Sequence, residues 1–172
     1  TPYLLPPGTV HAQWVHEGAD MHGDAAGYCL GCLLSMPDSN TLAIGTPSIY
    51  GSPIGRVRVF GRSGPDWIPK GADIHGVAPS DAFATSVSMP DANTVAIGAA
   101  THVQVYGWSG SAWVQKGADI AGMAGAAVSM PDANTVAIGA PVNAGTQNDA
   151  GQVRVFGWSG TAWVQKGSDI DG

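Results

Sequence analysis

The chain has 172 residues, 44% of them hydrophobic and only 12% charged, and carries a formal net charge of −6. That composition supports a sizeable core and excludes wholesale disorder, while seven Lys and Arg argue against nucleic acid, whose phosphates ask for a basic face. No run approaches the roughly 18 apolar residues of a membrane-spanning helix, and 25 Gly with 12 Pro announce many turns.

The chain opens TPYLLPPGTV, a Pro-rich lead-in over residues 1–13 with no basic, apolar and cleavage-site sequence of a signal peptide. The absence of an initiator Met and the start of a fresh unit at residues 170–172 lead to the expectation of a mature or truncated piece of something longer. Residues 14–20 (Trp14 to Asp20) are an isolated copy of a piece that returns at Trp67–Asp73, Trp113–Asp119 and Trp163–Asp169. The four Trp are separated by 53, 46 and 50 residues, the spacing of solenoids, propellers or arrays. The same words recur ahead of each later copy: Ser35–Gly45 (SMPDSNTLAIG), Ser88–Gly98 and Ser129–Gly139 (both SMPDANTVAIG). The units are therefore 21–73, 74–119 and 120–169.

Within a unit the pattern predicts four strands. In the second, Phe83–Met89 is a first strand, Pro90–Asn93 a turn set by Pro, Asp and Asn, and Thr94–Ala99 a second strand. Val95 and Ile97 face one way and Ala96 and Gly98 the other, as in a strand buried on both sides. A connection of variable length follows, then a third strand at Val103–Trp108. Ser109-Gly110-Ser111 makes a hairpin into a fourth strand at Ala112–Lys116, after which Gly117–Ile120 leads to the next unit. Four short antiparallel strands per repeat and no helical period imply an all-β chain of about three β-propeller blades, open or closed by further sequence or by oligomerisation. The alternative is a β-solenoid.

The pair Cys29 and Cys32 has C-x-x-C spacing in an apolar setting (GYCLGCLLS). A redox site asks for a helix N-terminus and a zinc site for a second pair. On a strand, the two thiols would point to opposite faces. They are read as inert or structural.

The strand ending in SVS, the segment VAIGAP and the segment GQVRVFGW, clearest at Val128-Ser129, Ala137–Pro141 and Gly151–Phe156, resemble the FG-GAP or integrin-like propeller repeat. Leu30-Gly31, Phe83-Ala84 and Ala124-Gly125 stand where that family has its Phe-Gly doublet. The resemblance implies a propeller fold and an extracellular or cell-surface setting. It does not carry over the family's calcium loop, because Asp38, Asp91 and Asp132 each stand with a single Asn and calcium takes six to eight oxygens. An Asx turn is expected there.

Three blades leave two open blade faces, and Trp14, Val15, His16 and Glu17 form an orphan strand able to pair with a neighbour. Either that strand closes a larger propeller in a longer chain, or copies self-associate into a ring or fibre. The function is read as non-catalytic and structural or adhesive, with a carbohydrate-binding propeller as the alternative. Candidate contacts are Arg56, Arg58 and Arg62, alternating on one strand face and suited to an anionic sugar or carboxylate. Trp108 and Trp158, at strand ends, could stack on sugar rings, and Asn143, Gln147, Asn148 and Asp149 lie in a long polar loop. His11, His16 and His22 near Glu17, Asp20 and Asp24 show no ligand spacing, so no metal or cofactor is expected. There is no nucleophile elbow, phosphate loop or paired acid, and no N-glycosylation acceptor.

Overall fold

The computed structural model describes residues 15–16, 18–23, 29–47, 54–122, 127–141 and 151–172. It is all-β: three antiparallel sheets and, among the described residues, no α-helix, only a 3-10 turn at Pro79–Asp81. Sheet 1 holds β1 (Leu33–Asp38), β2 (Thr41–Thr46), β3 (Arg56–Ser63), β4 (Asp66–Pro69) and β5 (Ile74–His75). Sheet 2 holds β6 (Ser86–Asp91), β7 (Thr94–Gly98), β8 (His102–Trp108), β9 (Trp113–Gln115) and β10 (Ile120–Ala121). Sheet 3 holds β11 (Ala127–Asp132), β12 (Thr135–Ala140), β13 (Gln152–Trp158), β14 (Trp163–Gln165) and β15 (Ile170–Asp171).

The expected fourth strand is split. After β4 the chain does not lead straight away: it turns at Gly71 (φ 84°), and β5 pairs with the start of β3 while β4 pairs with its end. Gly117 and Gly167 turn the same way in the other sheets, so Ile120–Ala121 and Ile170–Asp171 also close onto their own third strands. A left-handed residue between the two halves is what Gly supplies without steric cost.

The hairpin between the first and second strands is tighter than the sequence suggested. Asp91 pairs with Thr94, leaving Ala92-Asn93 as the turn, and the register shifts between Ser88 and Asp91. Pro90 falls inside that bulge, where its missing N–H breaks no ladder bond. The Asx turn is present in all three copies: Asn40, Asn93 and Asn134 amides donate to Asp38, Asp91 and Asp132 Oδ1, each at 2.7 Å. The first strand of sheet 2 begins at Ser86. Phe83, expected inside it, lies ahead of it and is fully buried.

Two-sided burial holds for β7, buried at every residue, and nearly so for β2, whereas β12 is buried on alternate residues only. Antiparallel register puts Ala96 opposite Val105 and Val95 opposite Tyr106, so each sheet has one face combining small second-strand residues with third-strand valines, and one led by Val or Ile. The sheets stack with unlike faces together. Ala43, Val57, Val59 and Ile74 of sheet 1 share a core with Val95 and Ile97 of sheet 2. Ala96, Val103, Val105 and Ile120 of sheet 2 share a core with Val136 and Ile138 of sheet 3. Each sheet thus has a trailing face, which receives the next sheet, and a leading face. The first strands run side by side, β6 against β1 and β11 against β6.

Candidate assembly surface

The residues repeated in the sequence are those that join one sheet to the next. At the first strands, the bulge takes Met89 out of the β6–β7 register, and its amide donates to Ser35 Oγ at 2.9 Å. The Met130 amide donates likewise to Ser88 Oγ at 3.0 Å. At the opposite edge, after β4, Lys70 reaches across to sheet 2. Its Nζ donates to the Ala92 carbonyl (2.5 Å) and Asn93 Oδ1 (3.0 Å), 5.4 and 5.6 Å from the ring centroids of Trp108 and Trp113. Lys116 repeats this on sheet 3, donating to the Ala133 carbonyl and Asn134 Oδ1 over Trp158 and Trp163. The indole N–H groups return the bond: Trp113 Nε1 to the Lys70 carbonyl at 2.7 Å and Trp163 Nε1 to the Lys116 carbonyl at 2.8 Å. Burial lowers the pKa of Lys70 and Lys116 from the ordinary lysine value, against the pull of Asp38 and Asp91 on the first and Asp91 and Asp132 on the second.

Among the described residues no sheet covers the third, and its trailing face is open. Val57 and Val103 are fully buried, but their counterpart Val153 is 38% exposed; Ile74 and Ile120 are 6% and 5% exposed, but Ile170 is 61%. Ser129, which corresponds to Ser35 and Ser88, is exposed, and so is Lys166, which lies along Gly157 of its own sheet. An open groove of about 390 Å³ runs between Gly139, Val153 and Ile170. The leading end of sheet 1 is open at its edge strand β1, where Leu34 and Met36 are 58% and 54% exposed while Met89 and Met130 are 5% and 6%. Further out it is closed, with Ile44 at 3% and Phe60 at 9%. Gly18, in the orphan copy, sits over Trp67 as Gly71 sits over Trp113 and Gly117 over Trp163.

The sequence-derived candidates fall out as follows. Arg58 Nε donates to Asp73 Oδ2 at 2.9 Å and Arg56 Nη1 approaches the same atom at 3.4 Å, with both arginines largely covered. Gln104 and Gln115 meet Asp119 in the same way, and Arg154, Gln152 and Gln165 meet Asp169. The repeated Asp therefore ties the turn between the split halves of the fourth strand to the third strand. Arg62 Nε donates to the Gly64 carbonyl at 3.0 Å. Trp108 and Trp158 are not open stacking platforms: each is half-buried, tilted against its partner Trp and pressed by a glycine of the previous sheet, Gly71 or Gly117. Val15 is exposed, and His16 Nε2 lies 3.2 Å from Asp20 Oδ1. Trp14, Glu17, His11, Asp24 and the loop residues Asn143, Gln147, Asn148 and Asp149 lie outside the described residues. Among the described residues no three His, Cys, Asp or Glu side chains gather as a metal site.

Cys29 and Cys32 are joined as a disulfide in the turn before β1. The expectation of opposite faces assumed a strand, and a turn brings the two Cα atoms to 5.5 Å. Two features escaped the sequence reading. The Lys three residues after each later Trp carries the junction; the signal was its regular recurrence at Lys70, Lys116 and Lys166 and its replacement by Glu17 in the orphan copy. His102, nearly buried, stands 3.6 Å from Asp81 and 3.8 Å from Asp119. Nothing in its local sequence marks it.

No protein-family model matches the chain, and no curated protein matches it.

Proposed function

We propose that the chain is a non-catalytic structural or adhesive module of the FG-GAP-like β-propeller class. In this reading it works outside the cell and is built into a larger ring or fibre by adding sheets to its open ends. The partner is a second copy of the chain, docked head to tail: the trailing face of sheet 3 on the leading end of sheet 1. One observation carries this reading: Val153 and Ile170 are exposed in a position whose counterparts in both other sheets are sealed by the next sheet. The chemistry supports a sheet of the same kind as occupant, since the apolar trailing face and the exposed Ser129 hydroxyl repeat what each internal junction uses near its first strands. Contiguous exposed apolar surface of this sort marks association sites, and a head-to-tail contact gives a ring if its rotation closes and a filament if it does not.

Light scattering across a concentration series, with negative-stain microscopy, tests it. A mass that grows with concentration is expected, and Val153→Asp should shift the particle toward the 17.4 kDa monomer. A wild-type chain that stays monomeric throughout would sink the proposal.

A further inference from the structure

The first junction shows what enters a trailing face. Phe83 and Ala84, just ahead of β6, are fully buried in the core that contains Val57 and Ile74. The fit is close at Gly76, where an added Cβ would stand 2.5 Å from Phe83 Cβ; one on Gly45 would first meet Leu33 of its own sheet at 3.1 Å, with Ala84 Cβ in ordinary contact at 3.7 Å. Gly76 is thus bare so that Phe83 can seat, and Ala84 rests in contact beside Gly45.

Sheet 3 carries the same receptor. Its groove is lined by Gly139, Val153, Ile170 and Gly172, which correspond in register to Gly45, Val57, Ile74 and Gly76. At the other end of the molecule, the counterpart of Phe83-Ala84 is Leu30-Gly31. Leu30 precedes Leu33, the start of β1, as Phe83 precedes Ser86, the start of β6. Gly31 (φ 87°) and Ala84 (φ 64°) share the left-handed backbone. Ala84 is packed, whereas Gly31 is exposed and a Cβ built on it would meet nothing within 4 Å.

The Cys29–Cys32 disulfide closes a loop around this doublet, and the Cys32 amide donates to the Cys29 carbonyl at 3.3 Å. A short covalently closed loop holds an apolar side chain and a left-handed turn ready to insert, which lowers the ordering cost of association.

We infer that the disulfide-closed loop carrying Leu30 and Gly31 is a plug for the trailing groove of sheet 3 in a second copy. The inference rests on the head-to-tail reading above and names the contact that makes it specific. Leu30 enters the groove between Val153 and Ile170, Gly31 passes over Gly139, and the exposed Leu34 and Met36 of β1 come to rest beside β11.

Sedimentation equilibrium on the full chain tests it, with near-UV circular dichroism to check that each variant folds. Leu30→Asp should weaken association about tenfold or more, equivalent to about 1.4 kcal/mol. Opening the loop with Cys29→Ser and Cys32→Ser together should weaken it by a smaller factor. Leu30→Phe, which installs the residue type that fills the first junction, should tighten it, and this variant decides the matter if Leu30→Asp fails to fold. Association that persists unchanged in Leu30→Asp and Leu30→Phe removes the plug and leaves the head-to-tail reading standing. A wild-type chain that does not associate removes both.

Discussion

At the level of single residues, the repeats spend their recurring letters on backbone geometry and on one Asp-centred contact per sheet, to arginine in sheets 1 and 3 and to glutamine in sheet 2. Ala82 (φ 45°) and Ala84 (φ 64°) are the described non-Gly residues with positive φ, a region where an L side chain crowds the following carbonyl. Ala84 is packed against sheet 1, so removing its methyl would trade strain for lost contact. Ala82 is only half-buried, so Ala82→Gly is expected to stabilise the chain by about 0.5–1 kcal/mol, read as a rise in the urea midpoint. Asp169 is held below its ordinary value of 3.8, first by the Gln165 hydrogen bond and then by Arg154. A carboxylate depressed in the folded state adds stability above its unfolded value, and that share is lost as pH falls through the folded one. Asp169→Asn should therefore lower the urea midpoint at neutral pH and flatten its fall below about pH 4; an unchanged acid limb would show that the ion pair with Arg154 contributes nothing.

At the level of elements, the split fourth strand is what makes a junction. Its first half presents the Trp, the turn after it places the Lys, and the second half seals the start of the third strand. Lys116→Met should cost about 1–2 kcal/mol, since it removes a cation held over two indoles and two hydrogen bonds to the next sheet's turn. Lys166→Met occupies the same place in sheet 3 with no sheet beyond it, and should change stability by less than about 0.5 kcal/mol. Urea melts of the two variants make the comparison; equal losses would mean the lysine acts within its own sheet. Much of this was legible beforehand. The alternation of Val95 and Ile97 with Ala96 and Gly98 gave a doubly buried strand, and Asp followed two residues on by Asn gave the turn. The split could not be read, because Gly-Ala-Asp-Ile looks like an exit from the sheet; only the pairing of Ile74 with Val57 reveals the return. The third-strand arginines and the tryptophans looked available for a ligand for a related reason: a sequence shows which face a side chain takes but not what crosses from the neighbouring repeat to meet it.

At the level of the whole molecule, the three sheets form a stack with direction, each trailing face matched to the next leading face. Stability in such a stack is close to a sum over sheets and their junctions, and both junctions described here use the same Ser-to-Met, Lys-to-turn and indole-to-carbonyl contacts. The two ends differ. The trailing end is open across its face, while the leading end is open only near β1, so any closure of the stack is polar and joins unlike surfaces.

Interchangeable junctions also bear on how such a chain can change over time. The segment from one Lys to the next carries the closing strand of one sheet and the first four strands of the following one, so a duplication of that length would meet both neighbours with contacts they already make. A gain or loss of half a unit would instead leave a Lys without its indoles or an Asn turn without its Lys. Length in this architecture is therefore free to vary in whole sheets and held fixed within them, which makes sheet number a quantity evolution can set separately from the stability of any one contact.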